Sequence, residues 1–181
     1  MIANKQLTKE KIYTYEDIDN LPEGLYEIID GRIVELSPTG FEHGSLEGLI
    51  FLFLYKHLKE KGFVATGEVG ILIQKKPLRL RAGDVVFVSK ETYKEKPKGI
   101  LEKAPELVIE IVSPSNKFDE IQEKVEDYLK IGVKKVIVVE PSIEKVYVYE
   151  SGKNEIKVYK FDQRFTWYGN IKASMKEIME Q

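Results

Sequence analysis

The run Leu107-Val108-Ile109-Glu110-Ile111-Val112 constrains this chain more than any other stretch of it. Residues this rich in Val and Ile, bounded by Pro105 and Pro114, predict a strand over Glu106 to Ser113. A strand without polar alternation has to be covered on both faces, which puts it inside a sheet with helices packed over it. Glu110 stands in the middle of the run, and the period of two assigns it to the face of Val108 and Val112. An ionised carboxylate left unpaired in such a place costs several kcal/mol. Glu110 must therefore be protonated, matched by a cation or bound to a metal.

The flanking sequence extends the strand into a fold. Ile121, Val125 and Leu129 recur every four residues and predict a helix over Phe118 to Ile131, closed by Gly132. Lys135 to Glu140 then reads as a second buried strand that stops at Pro141. Strand, helix and strand in that order make a parallel crossover, which is nearly always right-handed. Upstream, Thr14 and Asp17 fit the capping pattern of a short helix over Tyr15 to Pro22. Leu25 to Ile29 and Arg32 to Leu36 flank Asp30-Gly31, the pair that a tight type I′ hairpin requires. His43 to Lys61 carries Leu46, Leu49, Ile50, Phe53, Leu54 and Leu58 at helical steps, reads as the clearest amphipathic helix, and is expected to end at Gly62. Further strands are expected at Glu68 to Gln74 and Asp84 to Ser89, separated by a turn containing Pro and Arg, and an antiparallel hairpin at Lys145 to Glu150 and Glu155 to Phe161. The fold class is mixed α/β: a central mixed sheet flanked by helices, with extra antiparallel hairpins, in a single domain spanning 1–181.

Composition narrows the chemistry. The 181 residues include no Cys and only two His, His43 and His57. Disulfides, thiolate zinc sites, a cysteine nucleophile and a three-histidine zinc site are all excluded. Any metal has to be held mainly by carboxylates, which favours Mg²⁺ or Mn²⁺. The longest apolar run, Gly48 to Tyr55, is far short of the roughly 20 residues of a membrane-spanning helix. The N-terminal stretch has charges throughout and no apolar signal region, so a cytoplasmic protein with no membrane partner is expected. The net charge of −2 is unevenly spread: Lys75 to Lys103 holds nine basic and four acidic residues, a local +5, which leaves −7 elsewhere. That stretch reads either as solvated turns or as a phosphate-binding surface.

Asp84 opens the next apolar strand, Asp84-Val85-Val86-Phe87-Val88. Alone it reads as a strand-start residue. Adjacent strands lie about 4.8 Å apart, however, so Asp84 and Glu110 can converge on one cation. Lys124 lies in the helix that the Glu110 strand feeds. It is either a solvated surface lysine or one that reaches back to Glu110, where an ammonium can orient a nucleophile and stabilise developing charge.

Taken in order, several runs resemble the Uma-type endonuclease family of the PD-(D/E)XK restriction-endonuclease-like superfamily. They are Tyr26-Glu27-Ile28-Ile29-Asp30-Gly31, Ser37-Pro38-Thr39-Gly40 with His43, Asp84 to Val88, Pro105 to Ser115, Lys124 with Tyr128, Gly132-Val133, and Val138-Val139-Glu140-Pro141. The resemblance runs from about Tyr13 to Phe161 and implies a restriction-endonuclease-like fold and Mg²⁺-dependent cleavage of a DNA phosphodiester. It implies that Asp84 and Glu110 are the metal ligands and that Lys124 is the catalytic lysine. The superfamily's usual lysine position, two residues after the acid, holds Val112, and Gly83 stands where the family has Pro. Glu27 and His43 also match family positions. Glu27 is either a third acid or a hydrogen-bonded structural one, and His43 either joins the site or is a polar residue at a helix start. The expected mechanism is a carboxylate-held ion that activates phosphate and water, with Lys124 placing the water for in-line attack and no covalent intermediate. Two alternatives stand beside it: a catalytically inactive, nuclease-derived module that binds nucleic acid or protein, and a hydrolase of another phosphoester. Val146, Val148, Val158 and Phe161 offer an apolar face either to the core or to a second copy in a homodimer.

Overall fold

The structure, a computed structural model, describes residues 11–114 and 116–180. The N-terminal ten residues read above for a leader, Ser115 of the Pro105 to Ser115 run, and Gln181 of the 1–181 span lie outside the described residues. A short 3-10 helix at Tyr15–Asn20 leads into the hairpin β1 (Tyr26–Ile29) and β2 (Arg32–Glu35). Asp30 and Gly31 both take positive φ, 51° and 78°, as the tight turn demands. Helix α1 (Phe41–Leu58), strands β3 (Gly62–Gln74), β4 (Arg79–Ser89) and β5 (Leu107–Ile111), helix α2 (Phe118–Lys130) and strand β6 (Lys135–Glu140) follow. The chain continues through β7 (Lys145–Glu150), β8 (Lys157–Lys160), β9 (Phe165–Tyr168), β10 (Ile171–Ala173) and α3 (Met175–Met179).

Eight strands form one mixed sheet in the order β2-β1-β4-β5-β6-β7-β8, with β3 also paired to β4. Its one parallel pair is β5 with β6, joined through α2 as the crossover pattern requires. Odd-numbered residues of the central strands (Val85, Phe87, Ile109, Ile137) pack against α1, the β9–β10 ribbon and α3. Even-numbered ones (Val86, Val108, Val136, Val138) pack against Ile121, Val125 and Tyr128 of α2. The two-sided cover explains why β5 is entirely apolar except for Glu110.

Several expectations change or narrow. Gly62 does not end α1, which stops at Leu58. It opens β3, where a Cβ would lie 2.1 Å from the Val88 carbonyl oxygen, so only glycine lets the strands approach. Asp84 does not open its strand, and Gly83 before it lies in no turn, because β4 begins at Arg79 and both residues are mid-strand. Helix α1 exposes Leu52 and Tyr55 on its outer side, so α2 is the cleaner amphipathic helix. Val146, Val148 and Phe161 are buried in this chain's own core, while Val158 is half exposed.

Candidate active site at a fork in the sheet

Strand β4 has β3 along the whole of one edge, but its other edge is shared. Its first half pairs with β1 at Leu80↔Ile28, and its second half pairs with β5 from Val85↔Ile109 to Phe87↔Leu107. Between Leu80 and Val85, β1 and β5 diverge, and a fork opens in the sheet. Backbone groups at such a fork lose their ladder partners and have to be satisfied in another way. Side chains do it here. The Ala82 N–H donates to Glu27 Oε1 at 3.1 Å, and the Ala82 carbonyl accepts from Lys124 Nζ at 2.8 Å and Tyr128 Oη at 3.3 Å. The Ile111 N–H donates to Asp84 Oδ2 at 2.6 Å, and the Ile111 carbonyl contacts His43 Nε2 at 3.0 Å.

The structure thus brings the five candidate residues from five elements to one place. Glu27 comes from β1, His43 from α1, Asp84 from β4, Glu110 from β5 and Lys124 from α2. Continuing the Val85↔Ile109 register by one residue sets Asp84 opposite Glu110, on the same face of neighbouring strands. Lys124 Nζ lies 2.6 Å from Glu110 Oε2 and 3.3 Å from Glu27 Oε1. His43 Nε2 is 3.5 Å from Asp84 Oδ2.

Burial and charge set the protonation of the group. Burial pushes the Glu110 carboxyl up to about 8, aided by Asp84 and opposed by Lys124 and the Tyr128 hydroxyl, which donates to Glu110 Oε1 at 2.7 Å. Burial disfavours the Lys124 ammonium, but Glu110 and Glu27 outweigh it and hold that pKa above the usual lysine value. Glu27 is also desolvated, yet Lys124 and Arg81 keep its carboxyl below the usual range. The bond to Asp84 raises His43, against burial.

Further residues complete the arrangement. Arg81 is 5% exposed and donates to Glu27 Oε2 at 2.8 Å and Asp127 Oδ2 at 2.7 Å, while Arg79 Nη1 reaches Asp127 at 3.0 Å and Glu123 at 3.0 Å. Tyr128 is fully buried against Glu110. Asp127 and Tyr128 follow Lys124 at i+3 and i+4, which puts all three on one helix face; Tyr128 stands with Lys124 in the family resemblance, and the same spacing could have signalled Asp127. Glu68 left no such signal. The β3 register jumps from Thr66↔Val85 to Val69↔Gly83, so Gly67 and Glu68 bulge opposite Asp84, both with positive φ. Glu47 of α1 fixes this bulge through the Thr66 hydroxyl and, at 2.8 Å, the Gly67 N–H. Burial and the Asp84 charge push the Glu68 carboxyl up to about 7.

The basic stretch, read above as solvated turns or a phosphate-binding surface, divides into two groups of residues. Arg79 and Arg81 are committed to internal ion pairs, and Lys75 and Lys103 lie over the Tyr15 and Tyr93 rings. Lys76, Lys90, Lys94, Lys96 and Lys98 remain on the surface.

No three Asp, Glu or His side chains among the described residues stand close enough together to form a ready-made ion cage. The donor chemistry nevertheless suits a hard divalent ion. Asp84 and Glu110 are buried oxygen donors on adjacent strands, and the only ion-pair partner of Asp84 among the described residues is His43. No helix among the described residues is long and apolar enough to cross a membrane.

Comparison with known proteins agrees with the ordered motifs. A family model described as "Putative restriction endonuclease", Uma2, matches residues 12–167. A crystal structure described as "a putative nuclease belonging to DUF820" from Anabaena variabilis ATCC 29413 superposes with a TM-score of 0.79 at 18% identity, over 92% of this chain and 97% of that one. At that identity the likeness establishes the fold. No curated protein matches the chain. A match covering most of the sequence, on a mixed sheet with this strand arrangement, makes the chain a member of the Uma2 restriction-endonuclease-like family.

Proposed function

We propose that the chain is a Mg²⁺- or Mn²⁺-dependent DNA endonuclease that hydrolyses phosphodiester bonds at the fork in the sheet. The observation that carries this reading is the meeting of Asp84, Glu110 and Lys124 at the point where β1 and β5 part. Asp84 and Glu110 would hold the ion, which supplies Lewis-acid activation of a phosphoryl oxygen and of water. The Ile111 N–H fixes one oxygen of Asp84, and Tyr128 fixes one oxygen of Glu110. The pair is therefore preorganised without a rotamer search. Glu27, anchored by Arg81 and the Ala82 N–H, holds Lys124 beside Glu110, where the ammonium can orient attacking water and offset charge developing on the phosphate. His43 bridges Asp84 and the Ile111 carbonyl and keeps the two strands in register at the site.

The test is cleavage of supercoiled plasmid and of labelled single- and double-stranded oligonucleotides with Mg²⁺ or Mn²⁺ against EDTA, together with a panel of nucleotides and small phosphoesters. Metal-dependent nicking that falls about 10²-fold or more in Asp84→Asn and Glu110→Gln is the expected result. DNA left intact under every condition refutes the reading. DNA binding without cleavage, unchanged in those two variants, identifies a non-catalytic binding module instead.

A further inference from the structure

An ammonium has three N–H donors and no acceptor. Three oxygens surround those of Lys124: the ammonium donates to the Ala82 carbonyl at 2.8 Å and pairs with Glu110 Oε2 at 2.6 Å and Glu27 Oε1 at 3.3 Å. In this arrangement the ammonium faces oxygens of the fold, and its shortest contact, to Glu110, has to loosen before that N–H can turn to a water or a phosphate. Two of the three are tied into the fold. Glu27 is clamped by Arg81 and the Ala82 N–H, and the Ala82 carbonyl belongs to the β4 backbone itself. Glu110 is held by Tyr128 through its other oxygen, Oε1, so Oε2 can change partners without the carboxylate moving. A divalent ion on that oxygen would meet the Lys124 ammonium at hydrogen-bond range, where like charges in a partly buried site repel strongly.

We propose that Lys124 is an internal cation that competes with the divalent ion for Glu110 Oε2, and that its N–H turns to the reacting water or phosphate only when the ion takes that oxygen. The proposal rests on the metal-dependent reading above. It gives the ammonium a role in the ion-free chain, where it is the cation that faces Glu110 and Glu27. It also ties readiness for catalysis to occupancy, since the residue that orients the nucleophile is released by the event that activates it.

The experiment is Mn²⁺ binding, followed by electron paramagnetic resonance and calorimetry at mildly alkaline pH, in the parent and in Lys124→Met. Removing the competing ammonium is expected to tighten Mn²⁺ binding by on the order of tenfold or more. Equal or weaker binding in folded Lys124→Met overturns the proposal. Because Lys124→Met leaves buried carboxylates unmatched, a second measurement uses the parent alone. Reductive methylation of Lys124, read by peptide mass spectrometry, should rise several-fold when Mn²⁺ is added, since the amine is then freed from Glu110. Unchanged or reduced labelling overturns the proposal whatever the variant does. If neither protein binds Mn²⁺, the metal-dependent reading itself fails, and this proposal fails with it.

Discussion

Replacing Arg81 with Met separates a structural arginine from a phosphate-binding one. Arg81 donates at 2.8 Å to Glu27 and at 2.7 Å to Asp127, and both carboxylates are buried. A hydrogen bond to a charged group nets about 1.5–3 kcal/mol, so two amount to a gross loss of about 3–6 kcal/mol. Part of that is recovered. Glu27 keeps Lys124 and the Ala82 N–H, Asp127 keeps Arg79, and the Met side chain retains the packing of the arginine stem. The expected destabilisation is about 3 kcal/mol, the lower end of the range for breaking a buried ion pair from one side. Trp167, the only tryptophan and fully buried, reports urea unfolding, so the effect should appear as a lower midpoint at unchanged slope. Adding Glu27→Gln to Arg81→Met removes a buried charge left with Lys124 as its remaining cation, while the amide oxygen still accepts from Ala82, and should restore about 1 kcal/mol. An Arg81→Met variant within about 0.5 kcal/mol of the parent, as expected for an exposed basic residue, would refute the reasoning. So would a double variant that is simply the sum of two losses.

Three further outcomes are expected. Gly62→Ala drives a methyl to 2.1 Å from the Val88 carbonyl and 2.8 Å from Ser89 Cα, and should cost about 2 kcal/mol or more in a thermal melt; a melt matching the parent would mean that β3 and β4 can part freely. His43 is raised above its unfolded value of about 6.5, so its contribution is complete below that pH and is lost as pH rises through the folded value. In EDTA the parent should lose stability across that window and His43→Asn should not; equal pH slopes would remove the Asp84 contact as the cause. A chain ended at Asp162 loses β9, β10 and α3, which cover Phe53, Leu54 and Leu58 from outside, and should show no cooperative unfolding transition. A sharp transition in that truncation would assign those segments to the periphery.

How much of this could be read from the sequence depended on whether a residue's partner lay nearby in the chain. The Asp30-Gly31 turn, the α2 stripe and the β5–α2–β6 crossover are local patterns, and they form where expected. The burial of Glu110 was legible because an acid in an apolar run demands compensation. The roles of Arg79 and Arg81 were not, since their partners Glu27, Glu123 and Asp127 lie far away in the chain and the local run of basic residues reads as solvent-facing charge. The bulge at Gly67 and Glu68 left no pattern, because it is defined by register against β4. The closing strands β9 and β10 are four and three residues long, too short for a period of two to show.

The fork has a bearing on how such a chain changes over time. Glu27, Asp84, Lys124 and Tyr128 cap main-chain groups of Ala82 and Ile111 that no strand reaches. Selection for folding alone therefore keeps them, whether or not any phosphodiester is ever cut. A lineage that abandoned cleavage would drift first at the positions that touch only substrate, and Glu27, Asp84, Lys124 and Tyr128 would stay. Within this architecture, the residues that report loss of activity are the ones the backbone does not need.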